Sequence, residues 1–226
     1  MKMHLAVAAS ALALIVAAPA SATIFINTGA GVIQPDENLL FTNNPANGTT
    51  IQGITNQSST LVSITGGETL VGNGGQARVE SLDGLVSTPF TYNGLAGQSL
   101  GFDLSDPALA FNQTEFRIFV GKGTATEATL TFVDTTGGVF TETFAIPANG
   151  FFNATTADGQ LIDYFSIAAN GSFEDVRQTR IGGVGDINNP GGGLVPEPTS
   201  WALMIMGFGG VGALLRGRRR LAFSAA

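Results

Sequence analysis

The sequence predicts a mainly β protein, with a single antiparallel β-sandwich or jelly-roll domain over residues 23–181. Composition is the first observation behind this prediction. The segment is rich in Gly, Thr, Asn, Phe and Val and poor in Lys, Glu and Met, which disfavours helices and favours strands. The second observation is a series of short apolar runs separated by turn residues. A length of about 160 residues suits one domain with its own core.

Apolar or alternating runs predict the strands, spaced at roughly 8 to 15 residues. In chain order these eleven runs are 23–26, 39–42, 50–54, 60–64, 77–82, 99–104, 115–120, 127–133, 139–146, 162–167 and 175–181. Pairs of Asn, Asp or Gly followed by Gly separate many of them and supply the positive φ of tight turns. These pairs begin at Asn73, Asp83, Asn93, Gly137, Asn149, Asp158 and Asn170. Residues 107–111 predict one turn of helix.

The clearest predicted hairpin joins residues 128–133 to 139–144. Alternation places Leu130, Phe132, Phe140 and Phe144 on its buried face, and Glu142 is expected to point outward with the threonines. The phenylalanines, sixteen in the chain, are interpreted as core residues rather than as a platform for stacking sugars, because most of them lie in alternating strands.

Residues 1–22 have the parts of a secretory signal peptide in order. Lys2 gives a positive start and residues 5–18 are apolar except for Ser10. Ala20 and Ala22 form the small-x-small pattern that signal peptidase accepts. The apolar stretch is short for a bilayer core of about 30 Å. We therefore expect export by the Sec machinery and cleavage by signal peptidase after Ala22.

Composition also limits the chemistry of the exported part. The chain has no Cys, and its one His, His4, lies in the predicted signal peptide. Serine hydrolase, cysteine protease and zinc hydrolase sites are thereby excluded in their ordinary forms. Residues 23–215 carry five Lys and Arg against seventeen Asp and Glu, a net charge of −12. Such a body repels phosphate backbones, so no nucleic acid is expected as a partner.

The C-terminal segment 195–220 combines a proline-bracketed acid, an apolar stretch and an arginine cluster, and it follows a Gly/Asn/Pro-rich linker at 182–194. The bracket and the pair that follows it are Val195, Pro196, Glu197, Pro198, Trp201 and Ala202. Residues 201–215 predict a transmembrane helix of about 22 Å, and the cluster 216–220 is expected to stay in the cytoplasm. The residues expected to stop transfer are Gly207, Phe208, Gly209, Gly212, Arg216, Arg218, Arg219 and Arg220. A permanent single-pass anchor would explain the helix and the arginines but not the prolines.

This pattern resembles the PEP-CTERM sorting domain of Gram-negative bacteria, in its variant with Trp and Ala after the proline-glutamate-proline core. The resemblance covers about a tenth of the chain. It implies an exosortase as partner, a membrane enzyme of the transpeptidase type that cuts near this core. It also implies that the chain is inserted in the inner membrane before processing and then reaches the cell surface or an exopolysaccharide matrix.

Three functions remain open for the β-domain. The first is a non-catalytic surface or matrix protein, with exopolysaccharide as a candidate partner, no catalytic residue and no cofactor. The second is a glycosidase or lyase, which needs two carboxylates about 5 to 10 Å apart. The third is an adhesin stabilised by calcium, which needs six to eight oxygen ligands.

Candidate residues exist for the second and third functions. The candidate catalytic pairs are Asp103 with Glu115 and Glu80 with Asp83. The candidate calcium ligands are Asp36, Glu37, Asp103 and Asp106. Two ion pairs are also expected at the rim of the domain, Glu174 with Arg177 or Asp175 with Arg78, and such pairs are usually structural.

Overall fold

The described part of the chain, in a computed structural model, comprises residues 24–41, 47–74, 77–157 and 159–188. These residues are mainly β, as predicted, and contain no helix. The strands are β1 (Ile24–Thr28), β2 (Glu37–Leu40), β3 (Gly48–Thr55), β4 (Leu61–Asn73), β5 (Arg78–Ser81), β6 (Phe90–Tyr92), β7 (Leu95–Gln98), β8 (Leu100–Leu104), β9 (Leu109–Ala110), β10 (Gln113–Phe119), β11 (Glu127–Asp134), β12 (Val139–Ala145), β13 (Phe151–Thr156), β14 (Ile162–Ala169), β15 (Asp175–Gly182) and β16 (Gly185–Asp186).

Twelve of these strands form one antiparallel sheet. Its order is β1-β13-β10-β15-β2-β3-β4-β8-β14-β11-β12, and β5 pairs with both β15 and β4. The sheet has two limbs, which we call the β10 limb (β1, β13, β10 and β15) and the β8 limb (β3, β4, β8, β14, β11 and β12). The short strands β2 and β5 join them, because each pairs with β15 on one side and with a strand of the β8 limb on the other.

Phenylalanine rings from both limbs meet in one core. Phe165 of β14 is 1% exposed, and its ring centroid lies 4.6 Å from that of Phe102 and 5.5 Å from that of Phe132 on neighbouring strands. Phe116 of β10 stacks on the same ring at 5.2 Å, and Phe152 stacks on Phe116 at 5.8 Å. The two limbs therefore face each other across shared aromatic packing, and the predicted phenylalanine core is confirmed.

The predicted hairpin of β11 and β12 is present, with one correction. Leu130 and Phe132 are fully buried, and Phe140 and Phe144 are partly buried against the core. Glu142 was expected on the opposite face, but it is the register partner of Leu130 and shares the face of the two phenylalanines. Residues two apart in a strand lie on one face. Glu142 is nevertheless exposed, because β12 is the last strand of the sheet in the described part of the chain.

Several loops and short strands also differ from expectation. The helical turn predicted at 107–111 is wrong: the Leu109 amide donates to the Asp106 carbonyl at 3.0 Å in a β-turn, and β9 follows directly. The turn at Asn93 and Gly94 is confirmed, since both have positive φ (46° and 84°) and join β6 to β7. Strand β16 pairs with β9 within the segment for which a linker is predicted.

The predicted signal peptide, 1–22, and the predicted transmembrane helix, about 201–215, lie outside the described residues. Across the residues that are described, no helix is long and apolar enough to cross a membrane.

Replacing Phe165 by Ala should lower the free energy of unfolding by about 3 to 5 kcal/mol, because the substitution leaves a cavity among three stacked rings. The matched control is Phe25→Ala at a side chain that is 51% exposed, where about 0.5 kcal/mol or less is expected. Equilibrium urea unfolding followed by fluorescence or circular dichroism measures both. Equal losses for the two variants would contradict the central position of Phe165.

Candidate functional site

The first candidate catalytic pair is not assembled. Asp103 follows Phe102 on β8, and Glu115 precedes Phe116 on β10. Both phenylalanines pack on Phe165 in the core, so the adjacent carboxylates point away from the core on opposite outer faces of the domain. Glu115 is also 4% exposed and accepts a hydrogen bond from the backbone amide of residue 31 at 3.2 Å. The two carboxylates therefore cannot flank one glycosidic bond.

The second pair has separate structural partners. Glu80 Oε1 on β5 accepts hydrogen bonds from Arg78 Nη2 at 3.0 Å and from Asn73 Nδ2 at 2.5 Å. Asp83 lies in the exposed turn after β5, where its Oδ1 accepts the Leu85 amide at 3.1 Å. Glu80 thus belongs to an ion pair in the sheet, and Asp83 caps a turn.

The candidate calcium ligands do not gather into one site. Glu37 Oε2 accepts hydrogen bonds from the Ser58 amide at 2.9 Å and the Ser58 hydroxyl at 2.7 Å. Burial raises the pKa of Glu37, but hydrogen bonds from Thr55 and Ser58 outweigh burial and hold this pKa below its ordinary value. Asp106 Oδ1 accepts the amide of residue 108 at 3.0 Å. Among the described residues, no three Asp, Glu, His or Cys side chains are grouped so that they could hold a metal ion.

A cluster of acids and tyrosines lies on the outer face of the β8 limb, and sequence reasoning missed it. Asp103 is the register partner of Tyr164 across β8 and β14, and Asp163 is next to Tyr164 in the chain. Tyr92 of β6 covers this face and contacts Tyr164 edge-on, with centroids 5.6 Å apart. The ring of Tyr92 rests on Gly101, where an added Cβ would lie 2.4 Å from it. A glycine inside a predicted strand is a sequence signal for such a close approach.

The ionisable groups of this cluster have raised pKa values. Burial under the β6–β7 hairpin, and then the charge of Asp163, raise the pKa of Asp103 to about 6. Burial also raises the pKa of Asp163. For Tyr92 and Tyr164, burial and then the nearby carboxylates raise the pKa above the ordinary tyrosine value. The cluster is therefore the part of the described β-domain best suited to exchange a proton near neutral pH.

The cations of the body lie on the β10 limb or directly beside it, on the other side of the core. Arg117 lies on β10, Arg177 and Arg180 lie on β15, and Arg78 lies on β5, the neighbour of β15. Lys122 follows β10 in the next turn. These five residues are all the Lys and Arg between the two predicted processed ends. A strongly acidic protein thus carries its positive charge on one face.

Asp175 forms ion pairs with two of these arginines. Its side chain is fully buried, and it binds Arg177 directly and Arg78 at 3.9 Å. The predicted Asp175–Arg78 pair is therefore confirmed. The guanidinium of Arg177 also stacks over the ring of Phe119 at 4.0 Å. Glu174, the partner expected for Arg177, accepts a weak hydrogen bond from the Lys122 amide at 3.4 Å.

A cleft of about 410 Å³ opens beside β10, lined by residues 117–121, 125–126 and 146–148. We call it the Arg117 cleft. The Arg117 guanidinium carbon lies 5.6 Å from the ring centroid of Phe119 and 5.7 Å from that of Phe151. Within the described residues the Arg117 side chain makes no hydrogen bond or ion pair, and its Nε is buried without a partner. The cleft thus holds a cation that the domain itself does not neutralise.

The turn before β13 forms one wall of this cleft. Gly150 has φ of +70°, and an added Cβ would lie 2.1 Å from the Ile118 carbonyl oxygen. Only glycine lets the turn approach β10 so closely. The Ile118 amide then donates to the Gly150 carbonyl at 2.8 Å, which fixes the wall. The Asn149–Gly150 pair was predicted as a turn, but the sequence does not indicate which strand it meets.

Replacing Asp103 by Asn should stabilise the protein above neutral pH. The pKa of Asp103 is about 6 in the folded protein against an ordinary 3.8. The stability that this raised pKa contributes to the folded protein is therefore fully present below pH 3.8, where the side chain is protonated, and is lost as the pH rises through 6. We expect Asp103→Asn to raise the free energy of unfolding by about 1 kcal/mol at pH 8, a value reduced for partial exposure, and to have little effect at pH 3.5.

Denaturant unfolding across this pH range measures the effect. A second variant, Asp163→Asn, should shift the pH dependence downward because it removes the neighbouring charge. Parallel stability profiles for the wild type and Asp103→Asn from pH 4 to 7 would contradict the raised pKa.

The remaining sites from the sequence lie outside the described residues. They are Ala20, Ala22, Val195, Pro196, Glu197, Pro198, Trp201, Ala202, Gly207, Phe208, Gly209, Gly212, Arg216, Arg218, Arg219 and Arg220.

No curated protein and no solved structure matches the chain. A family model, described as the PEP-CTERM protein-sorting motif, matches residues 194–220. The chain therefore carries a PEP-CTERM protein-sorting motif, which marks it as an exported protein targeted to an exosortase.

Proposed function

We propose that the protein is a non-catalytic component of the cell surface or of an exopolysaccharide matrix, delivered there by exosortase processing. The observation that carries the proposal is the sorting motif at 194–220. The delivered part is an antiparallel β-sandwich of the jelly-roll type. The two limbs that face each other across the phenylalanine core support this description.

The order of the terminal signals supports a definite route. The signal peptide directs the chain through the inner membrane and is removed after Ala22. Residues 201–215 then halt in the bilayer, with the arginine cluster 216–220 on the cytoplasmic side. The β-domain and the proline-glutamate-proline core are left outside. Prolines disfavour helix at this point, which favours recognition of the proline-glutamate-proline residues by a membrane enzyme.

The described residues support a structural rather than a catalytic body. Asp103 and Glu115 lie on opposite outer faces, and Glu80 and Glu115 are engaged by partners of their own. The body has no Cys or His, so nucleophilic catalysis would lack its usual base.

Replacing the proline-glutamate-proline residues of the sorting motif should block processing by exosortase. In the native host, the triple variant Pro196→Ala, Glu197→Gln and Pro198→Ala is expected to keep its C-terminal segment and to remain in the membrane fraction. The wild-type chain should lose this segment and leave that fraction. Intact-mass spectrometry and cell fractionation measure both, and a strain without exosortase should reproduce the variant's behaviour with the wild-type chain.

The matched control is Thr199→Ala with Ser200→Ala, which changes neighbouring residues and leaves the prolines, Glu197 and the predicted helix intact. It should be processed as the wild type is. If the mature mass is the same in the triple variant, the control and the strain without exosortase, processing at this motif is ruled out and a permanent anchor takes its place.

A further inference from the structure

We propose that the Arg117 cleft binds an acidic sugar unit, and that the Arg117 guanidinium receives its carboxylate. This inference concerns a ligand of the β-domain, whereas the sorting motif concerns delivery. It rests on three observations: a cation without a partner, a preformed cleft of suitable size, and walls that combine apolar and polar groups.

The charge argument singles out Arg117 among the cations of the β10 limb. Arg78 binds Glu80 and Asp175, and Arg177 binds Asp175. Arg117 contacts aromatic rings on two strands, but within the described chain no carboxylate is bound to it. The positive charge of Arg117 is therefore balanced by no carboxylate of the described chain, and a ligand carboxylate in the cleft would balance it.

The aromatic contacts also prepare Arg117 for this role. Phe119 and Phe151 lie on adjacent strands, β10 and β13, and both contact the guanidinium. Such contacts restrict the rotation of a long side chain, so less conformational entropy is lost when a ligand binds. The planar guanidinium matches the two oxygens of a carboxylate in a bidentate geometry. The cleft therefore presents an oriented donor group.

The shape and lining of the cleft favour a sugar ring. A volume of about 410 Å³ lies within the range of small-ligand pockets. Ile146 and Pro147 provide apolar wall, which suits the C–H face of a pyranose. Thr126 is exposed at the rim, and its Oγ1 accepts a hydrogen bond from Asn170 at 2.9 Å, so its O–H can still donate to a sugar oxygen. A hexuronate unit presents all three complements: a carboxylate, an apolar ring face and hydroxyl groups.

The net charge of the body sets the expected strength of binding. Residues 23–215 carry a net charge of −12, so long-range attraction for an acidic ligand is absent, and only local contacts hold it. We therefore expect modest affinity that depends strongly on Arg117.

Calorimetric titration of the full-length chain in detergent tests the proposal with digalacturonate as probe and galactobiose as its neutral counterpart. Digalacturonate should bind at least tenfold more tightly than galactobiose. Arg117→Gln should weaken digalacturonate binding at least tenfold, and Arg117→Lys should retain part of it because the charge remains. The matched control is Arg180→Gln, which removes one charge on the same limb outside the cleft and should bind as the wild type does.

A second variant keeps the test decisive if Arg117→Gln does not fold. Ala148→Trp adds bulk at an exposed position on the cleft wall and should block binding without disturbing the core. The proposal is overturned if digalacturonate binds Ala148→Trp as tightly as the wild type, or if galactobiose binds as tightly as digalacturonate. Competition by inorganic phosphate at equal concentration would overturn the sugar assignment, since the cleft would then recognise any small anion.

Discussion

The packing of aromatic rings around Phe165 is the interaction on which the rest of the domain depends. Phe165 contacts rings from its own limb and, through Phe116, from the opposite one. The chain has no Cys, so no disulfide can hold the limbs together. Burying each large apolar side chain contributes roughly 1.5 to 3 kcal/mol. Closure of the sheet on itself therefore relies on this core, and the outer faces that carry the candidate sites are positioned by it.

The folding of the sheet into two facing limbs also places the acidic cluster and the cations on opposite sides of the core. The β8 limb turns Asp103 and Asp163 outward beneath Tyr92, where burial keeps one carboxyl partly protonated near neutral pH. The cations lie on or beside the β10 limb, and buried Asp175 forms ion pairs with two of them. Arg117 remains outside that network and beside the cleft. A single sheet thus gives an acidic protein two chemically different surfaces.

Sequence patterns predicted most of the long strands because one face of each is buried and the other is not. Strand β13 was missed, since its buried positions include Asn153, whose amide is held by the carbonyl of residue 29 at 2.5 Å. Strand β4 was cut short at Gly66 and Gly67. An added Cβ at Gly67 would lie 2.3 Å from the Thr88 carbonyl, so these glycines permit close packing within a continuous strand rather than a turn.

The candidate sites also differ in how far the sequence alone could predict them. The sorting motif could be predicted in full, because its residues are consecutive and need no folded partner. The Asp103 cluster and the Arg117 cleft could not, because each depends on which strands become neighbours. Tyr92 reaches Asp103 only through the β6–β7 hairpin, and Phe151 reaches Arg117 only through the pairing of β13 with β10.

The unpaired edge of strand β12 affects how the exported protein can associate with other molecules. One of its edges is unpaired in the described chain, and its seven residues run from Val139, which is 57% exposed, to Ala145 with no Pro, Gly or Lys. Such an edge can add a strand from another molecule. Glu142 is its one charged residue, and two copies aligned there would bring like charges together. This carboxylate therefore disfavours edge-to-edge pairing of two copies of β12.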